Sequence, residues 1–192
     1  MHITDVPIFS FDSPNKWHEW LQTNHTQPKG VWIRFFKKNA HVSSMTYTEA
    51  VDEALCYGWI DSQAKKYDEM SYIQKFTPRR TKSIWSKINR ERIEKLITAG
   101  KMQASGLKQV EEAKKDGRWD HAYDSPRNMT LPEDFLKALS QNKQAKAFFE
   151  TLNKTNTYAI MWRLQTAKKP ETRAKRMTLV LEMLAKGEKF HP

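Results

Sequence analysis

Two extended runs, WIDSQAKKYD (59–68) and MSYIQKFT (70–77), meet at Asp68-Glu69 and constrain the fold more than any other stretch of the chain. Aromatic and β-branched residues alternate there with polar ones at the two-residue period of a strand, and the acidic junction suits a turn, so the pattern predicts a β-hairpin. Thr77-Pro78 ends the second strand, because proline has no N–H to give the ladder. A turn symmetric about Asp68-Glu69 places Lys65 opposite Tyr72, Gln63 opposite Gln74 and Asp61 opposite Phe76. One face then carries Asp61, Gln63, Lys65, Tyr72, Gln74 and Phe76, and the other Ile60, Ser62, Ala64, Ile73, Lys75 and Thr77. The first face combines aromatic platforms with hydrogen-bonding groups, as a small-molecule site requires. A one-residue slip would reassign every side chain.

The flanking sequence supplies helices and one further strand. Ser13-Pro14 marks a helix start whose stripe is Trp17, Trp20 and Leu21. Val31 to Lys37 reads as a strand with bulk on both faces, hence central in a sheet. Thr46 and Glu49 form a capping box for a helix that should bury Tyr47, Ala50, Val51, Ala54 and Leu55, with Gly58 just past its end. Ile84 to Ala99 predicts a long helix stopped by Gly100, and Ser105 is positioned to cap the next one. After the connector RWDHAYDSPRNM everything reads as helix. Thr130 to Glu133 forms a second capping box, Asn142 caps a third segment, and Pro170-Glu171 opens the last helix. The expected fold is α+β: a small mixed sheet with flanking helices over residues 1–122, then an all-helical domain over 123–192.

Composition narrows the class. With seven tryptophans, 39% hydrophobic and 29% charged residues, the 192-residue chain can bury a real core. No apolar run reaches the ~18 residues of a membrane span, and the N-terminus has no secretory pattern, so a cytoplasmic location is expected. The one cysteine, Cys56, excludes an internal disulfide framework and a cysteine-cage zinc site, and sits near a helix end as a small buried hydrophobe. The six histidines show no metal-ligand spacing, and no phosphate loop, GxGxxG or GxSxG occurs, so neither cofactor, metal nor catalytic residue is expected. A net charge of +11 favours an anionic partner.

The sharpest candidate for such a partner follows the hairpin. Arg79, Arg80 and Lys82 crowd the start of the next helix, where cations oppose the macrodipole unless an anion neutralises them. Free backbone N–H groups, Ser83, Ser86 and a guanidinium fork would bind phosphate or carboxylate there; pairing of the arginines with acids elsewhere is the alternative. Trp85 would give an apolar wall. Asn89, four residues from both Trp85 and Ile93, would serve a ligand or a structural network. The candidate ligand set is Asp61, Gln63, Tyr72, Gln74, Arg79, Arg80, Ser83, Trp85, Ser86 and Asn89. A second basic cluster, Arg163, Lys168, Lys169, Arg173, Lys175 and Arg176, leaves nucleic acid as a possible partner.

The run ALCYGWIDSQAKKYDE…FTPRRTKSIWSKIN…RIEKLITAGKM…SGL resembles the YdeI/OmpD-associated, or bacteriocin-protection, family. LPEDFLKAL, AFFETL and AKKPETRAKRM, ending in LAKGEKF, look like that family's helical domain. The resemblance implies a stress or antimicrobial-resistance role and no defined reaction. The expected function is therefore non-enzymatic recognition of a small anionic ligand or protein partner. The alternatives are an enzyme acting on a phosphorylated or carboxylated metabolite through Asp61, or a nucleic-acid-binding protein. Oligomeric state does not follow from the sequence.

Overall fold

The structure, a computed structural model, describes residues 6–192. Its fold class is α+β, and the chain divides into two compact units, Met1–Ala122 and Tyr123–Pro192. The first unit runs β1 (Ile8–Phe9), α1 (Pro14–Asn24), β2 (Val31–Phe36), α2 (Tyr47–Cys56), β3 (Trp59–Lys66), β4 (Ser71–Pro78), α3 (Lys87–Thr98) and α4 (Ala104–Lys115). The second contains α5 (Glu133–Ser140), α6 (Lys143–Phe149), α7 (Lys154–Gln165) and α8 (Pro170–Ala185), with no strand among its residues.

The sheet order is β1-β2-β4-β3, so β2 is an inner strand. β1, which the sequence pattern does not mark, pairs parallel to β2 through Ile8 and Phe9; the other neighbours are antiparallel. The hairpin register departs from the symmetric expectation. Asp61 faces Phe76 as expected, but a bulge between Asp61 and Ala64 adds one residue to β3, and beyond it Ala64 faces Gln74 and Lys66 faces Tyr72. An extra residue on one strand reverses which face later side chains take. Lys65 therefore joins Ile73 on the opposite face, and Gln63 loses its pairing with Gln74.

One sheet face is the floor of the first core. Val31, Ile33, Phe35, Trp59 and Phe76 pack there against Trp17 and Leu21 of α1, Ala50, Ala54 and Leu55 of α2, Ile93 of α3 and Val110 of α4. Buried indoles need partners for their N–H groups. Trp17 Nε1 donates to the Ala50 carbonyl at 3.1 Å and Trp59 Nε1 to the His25 carbonyl at 2.7 Å. The Thr46–Glu49 capping box is formed in full and starts α2.

Several helix starts differ from expectation. α3 begins at Lys87, because Ser86 accepts from the Asn89 N–H and fixes the N-cap there, not at Ile84. Ser105 lies inside α4 and donates to the Tyr57 carbonyl at 3.1 Å. Pro132 occupies the N-cap of α5, so Thr130 and Glu133 form no capping box. Tyr47, at the first position of α2, is 39% exposed and not buried.

In the second unit, Phe135, Leu139, Ala145, Ile160, Leu164, Val180 and Leu184 form the core. Arg173 clasps Asp134 with both carboxylate oxygens at 2.7 Å and donates to the Leu164 carbonyl at 2.7 Å, while Arg176 donates to the Arg163 carbonyl at 2.6 Å. Cations at the C-terminal carbonyls of α7 match its dipole. Two of the six residues of the second basic cluster, Arg173 and Arg176, are thereby turned to structure.

Two glycines set tight contacts in the first unit. Gly30 enters β2 with φ +67°, and a Cβ there would lie 2.1 Å from the Phe76 carbonyl oxygen. Gly106 lets α4 touch the end of α2, where a Cβ would lie 2.1 Å from the Cys56 carbonyl oxygen. Gly30→Ala and Gly106→Ala are each expected to lower stability by roughly 3 kcal/mol, read as the shift of a urea midpoint. A midpoint unchanged for either would contradict these approaches.

Candidate functional site

The sequence-singled residues fall into two groups. Asp61, Tyr72 and Gln74 come together on the helix-covered face of the sheet. The Tyr47 hydroxyl donates to Asp61 Oδ2 at 2.7 Å, and Gln74 Nε2, in a side chain only 6% exposed, approaches the same oxygen at 3.4 Å. Phe35 supplies the floor, stacked on Tyr72 with centroids 5.5 Å apart and edge-on to Tyr47 at 6.1 Å. Burial first, and then the hydrogen bond and charge of Asp61, push the Tyr47 hydroxyl well above its ordinary value; Arg92 opposes this. Burial also raises Tyr72. Gln63 is exposed and has no part in the cluster, because the bulge displaces it.

Arg92 reaches from α3 to Asp52 on α2 at 2.6 Å. These two residues with Ile88, Glu91, Lys95 and Leu96 line a groove of about 350 Å³ along the α2–α3 seam. Arg92 also acts electrostatically on Tyr47. Tyr47, Asp52 and Arg92 lay outside the sequence-based set. Tyr47 carried the apolar helix period and read as core, while the Asp52–Arg92 pair joins residues forty positions apart with no local mark.

The second group lies in the loop before α3. Arg79 is 6% exposed, its guanidinium 3.5 Å from the centroid of the Trp85 ring and bonded to the Ile84 carbonyl at 3.2 Å. Trp85 is 1% exposed and packs edge-on to Trp119, so it is interior rather than a wall open to ligand. Ser83 closes a local turn by accepting from the Arg80 N–H at 3.0 Å, and its carbonyl accepts from Arg118 at 2.9 Å. Ser86 is the α3 cap, Asn89 is half-buried on the first turn, and Arg80 is exposed. With α3 starting at Lys87, the arginine pair stands ahead of the helix end rather than on it.

Two further groups bear on the chemistry. Cys56 is 1% exposed, and burial with the nearby charges of Glu53 and Asp52 pushes its thiol up to about 12. His18 Nδ1 lies 2.9 Å from Glu53 Oε2, and the Tyr57 hydroxyl lies 3.2 Å from His18 Nε2, a chain the scattered histidine positions did not announce. Among the described residues no three His, Cys, Asp or Glu side chains gather at metal-binding distance, and no helix is long and apolar enough to cross a membrane.

Residues 128–187 match the family model described as Bacteriocin-protection, YdeI or OmpD-Associated. Residues 9–109, over half of the chain, match a second model, described as a domain of unknown function (DUF8412), which takes in both the hairpin and the α2–α3 groove. The chain belongs to that family. The chain matches no curated protein and no solved structure. The bacteriocin-protection match thus falls within the helical unit, and the candidate site within the residues matched by the second model.

Two outcomes follow from the geometry. Arg79→Ala is expected to cost about 2 kcal/mol or more, because it removes a buried cation–π contact and a hydrogen bond, whereas Arg80→Ala should stay within about 0.5 kcal/mol. Chemical denaturation distinguishes them, and equal small losses would mean that Arg79 is free to serve an anion. For Tyr47 the raised native value means that its stabilisation is complete below the ordinary pKa of 10.0 and is lost as pH rises through the folded value. Between pH 9 and 12 wild type should therefore lose stability faster than Tyr47→Phe; parallel curves would remove the Tyr47–Asp61 bond from the account.

Proposed function

We propose that this protein contributes to bacteriocin protection as a non-catalytic binding protein, and that its ligand is a small molecule with one carboxylate or phosphate and an apolar body. The observation that carries the reading is the placement of the Tyr47 hydroxyl and the Cys56 thiol. The hydroxyl is engaged as a donor to Asp61 at 2.7 Å, and the thiol, 1% exposed, is enclosed in the core. A thiol must ionise to attack, and a phenol held by a carboxylate is a fixed donor, so the surface is suited to orient a ligand rather than transform it.

Arg92 and Lys95 supply positive charge in the groove, Ile88 and Leu96 its apolar wall, and Glu91 and Asp52 acceptors for a ligand N–H or O–H. Asp61 is held at Oδ2 by Tyr47 and Gln74. A lone buried thiol fits action in a reducing compartment such as the cytoplasm.

The test pairs binding with protection. Citrate, used as the polycarboxylate probe, is expected to raise the melting temperature of wild type and to have no effect on Arg92→Ala/Lys95→Ala. In a bacteriocin-challenged strain, expression of wild type should raise survival, and Asp61→Ala or the double variant should abolish the gain at equal protein level. Protection unaffected by either change would overturn the assignment of this site. Turnover of an ester or phosphoester that depends on Asp61 would overturn its non-catalytic nature.

A further inference from the structure

The sheet face turned away from the helices is built to a different plan. β2 places Trp32, Arg34 and Phe36 on it, β4 places Ser71, Ile73 and Lys75 beside them, and the bulge delivers Lys65. The buried residues of α1 to α4 join the core on the other face, whereas Trp32 and Ile73, 2% and 8% exposed, belong to neither core.

Successive same-face positions on a strand are about 6.6 Å apart, so indole, guanidinium and phenyl planes form a row along β2 at that interval. Cations attend these rings. The Lys65 ammonium lies 5.0 Å from the Trp32 centroid, and the Arg34 guanidinium lies 4.6 Å from Phe36 and 4.7 Å from Tyr67. Tyr67, at the end of the row, is 46% exposed. Among the described residues, Trp32 Nε1 is buried without a hydrogen-bond partner, a costly state for an indole donor. Arg34 pairs with Asp68 at 2.6 Å, while Lys65 and Lys75 bring part of the chain's net charge of +11 to this face.

We propose that this face binds single-stranded nucleic acid. Base stacking tolerates any sequence because every base has a π-face, and arginine planes stack as aromatic rings do. Planar groups at regular intervals on an inner strand, flanked by lysines, satisfy both halves of that chemistry. Trp32 is enclosed, so the rings open to a base are half-buried Phe36 and exposed Tyr67, with Lys65 and Lys75 on the same face to meet phosphates. A duplex hides its bases and offers this face only phosphates, so single strands are preferred. The surface lies across the sheet from the Tyr47–Asp61 cluster and goes beyond the ligand site proposed above.

The experiment is fluorescence anisotropy of the full chain with labelled oligodeoxythymidine. Binding should be saturable at low salt and weaken with a log–log salt slope of about −1.4 to −2.1, as for two or three phosphates released from a single strand. Lys65→Ala/Lys75→Ala should weaken binding at least tenfold and flatten the slope. Phe36→Leu and Tyr67→Ala, checked for unchanged melting temperature, should weaken it several-fold or more with the slope kept. Arg92→Ala should bind as wild type, which separates this proposal from the groove. Any of four results would overturn it: no binding, a duplex of equal length held as tightly, lysine variants equal to wild type, or binding to phosphatidylglycerol vesicles without binding to the oligonucleotide.

Discussion

One extra residue in β3 decides what each face of the sheet presents. Up to Asp61 the hairpin keeps the symmetric register, so Trp59 and Asp61 point to the helix side with Phe76. Past the bulge the parity is reversed, and Ala64, a small side chain, stands opposite Gln74 where a glutamine would otherwise stand. The Gln74 amide can then reach Asp61, and Tyr47 completes the pair from the first turn of α2. The same shift carries Lys65 over to the Trp32 ring. A slip of one residue is worth a whole face of side chains, so the two surfaces are coupled through a single backbone irregularity.

Charge is distributed by the same economy of partners. The arginines are largely tied to the fold: Arg79 to Trp85, Arg90 and Arg118 to the carbonyls of Trp119 and Ser83, Arg173 and Arg176 to the end of α7. A planar guanidinium with several donors can satisfy carbonyls and rings at once, which suits it to interior use. The exposed positive charge is therefore mostly lysine, a hydrated point charge on a flexible stem. Lys65 is notable in covering an aromatic ring while keeping its ammonium near solvent.

Periodicity and capping chemistry made the element types legible: the hairpin, the inner strand β2, the capping box at Thr46 and the proline-opened α1 and α8 all follow from local sequence. The bulge left no trace, since Ser62, Gln63 and Ala64 include neither glycine nor proline, and the extra residue is absorbed by pairing with β4. Arg79 misled for another reason. Two adjacent arginines ordinarily mean an exposed cationic spot, and only the tertiary placement of Trp85 accounts for one of them being interior. Tyr47 satisfied the apolar helix period, yet at the first helical position its ring swings past the core edge to Asp61. Groups joined across long sequence separations, such as Arg92 with Asp52 or His18 with Glu53, have no local signature at all.

The register of β3 against β4 is the point on which this account stands, and cross-strand disulfide trapping measures it directly. Directly opposed residues place their Cα atoms about 4.5–5.5 Å apart, within the span a disulfide bridges. Ala64→Cys with Gln74→Cys should oxidise readily to an intramolecular disulfide, whereas Gln63→Cys with Gln74→Cys should remain reduced under the same conditions. Efficient closure of the 63–74 pair with an unreactive 64–74 pair would mean that the symmetric register holds, and would put Gln63 beside Gln74 and return Lys65 to the helix-covered face, away from Trp32.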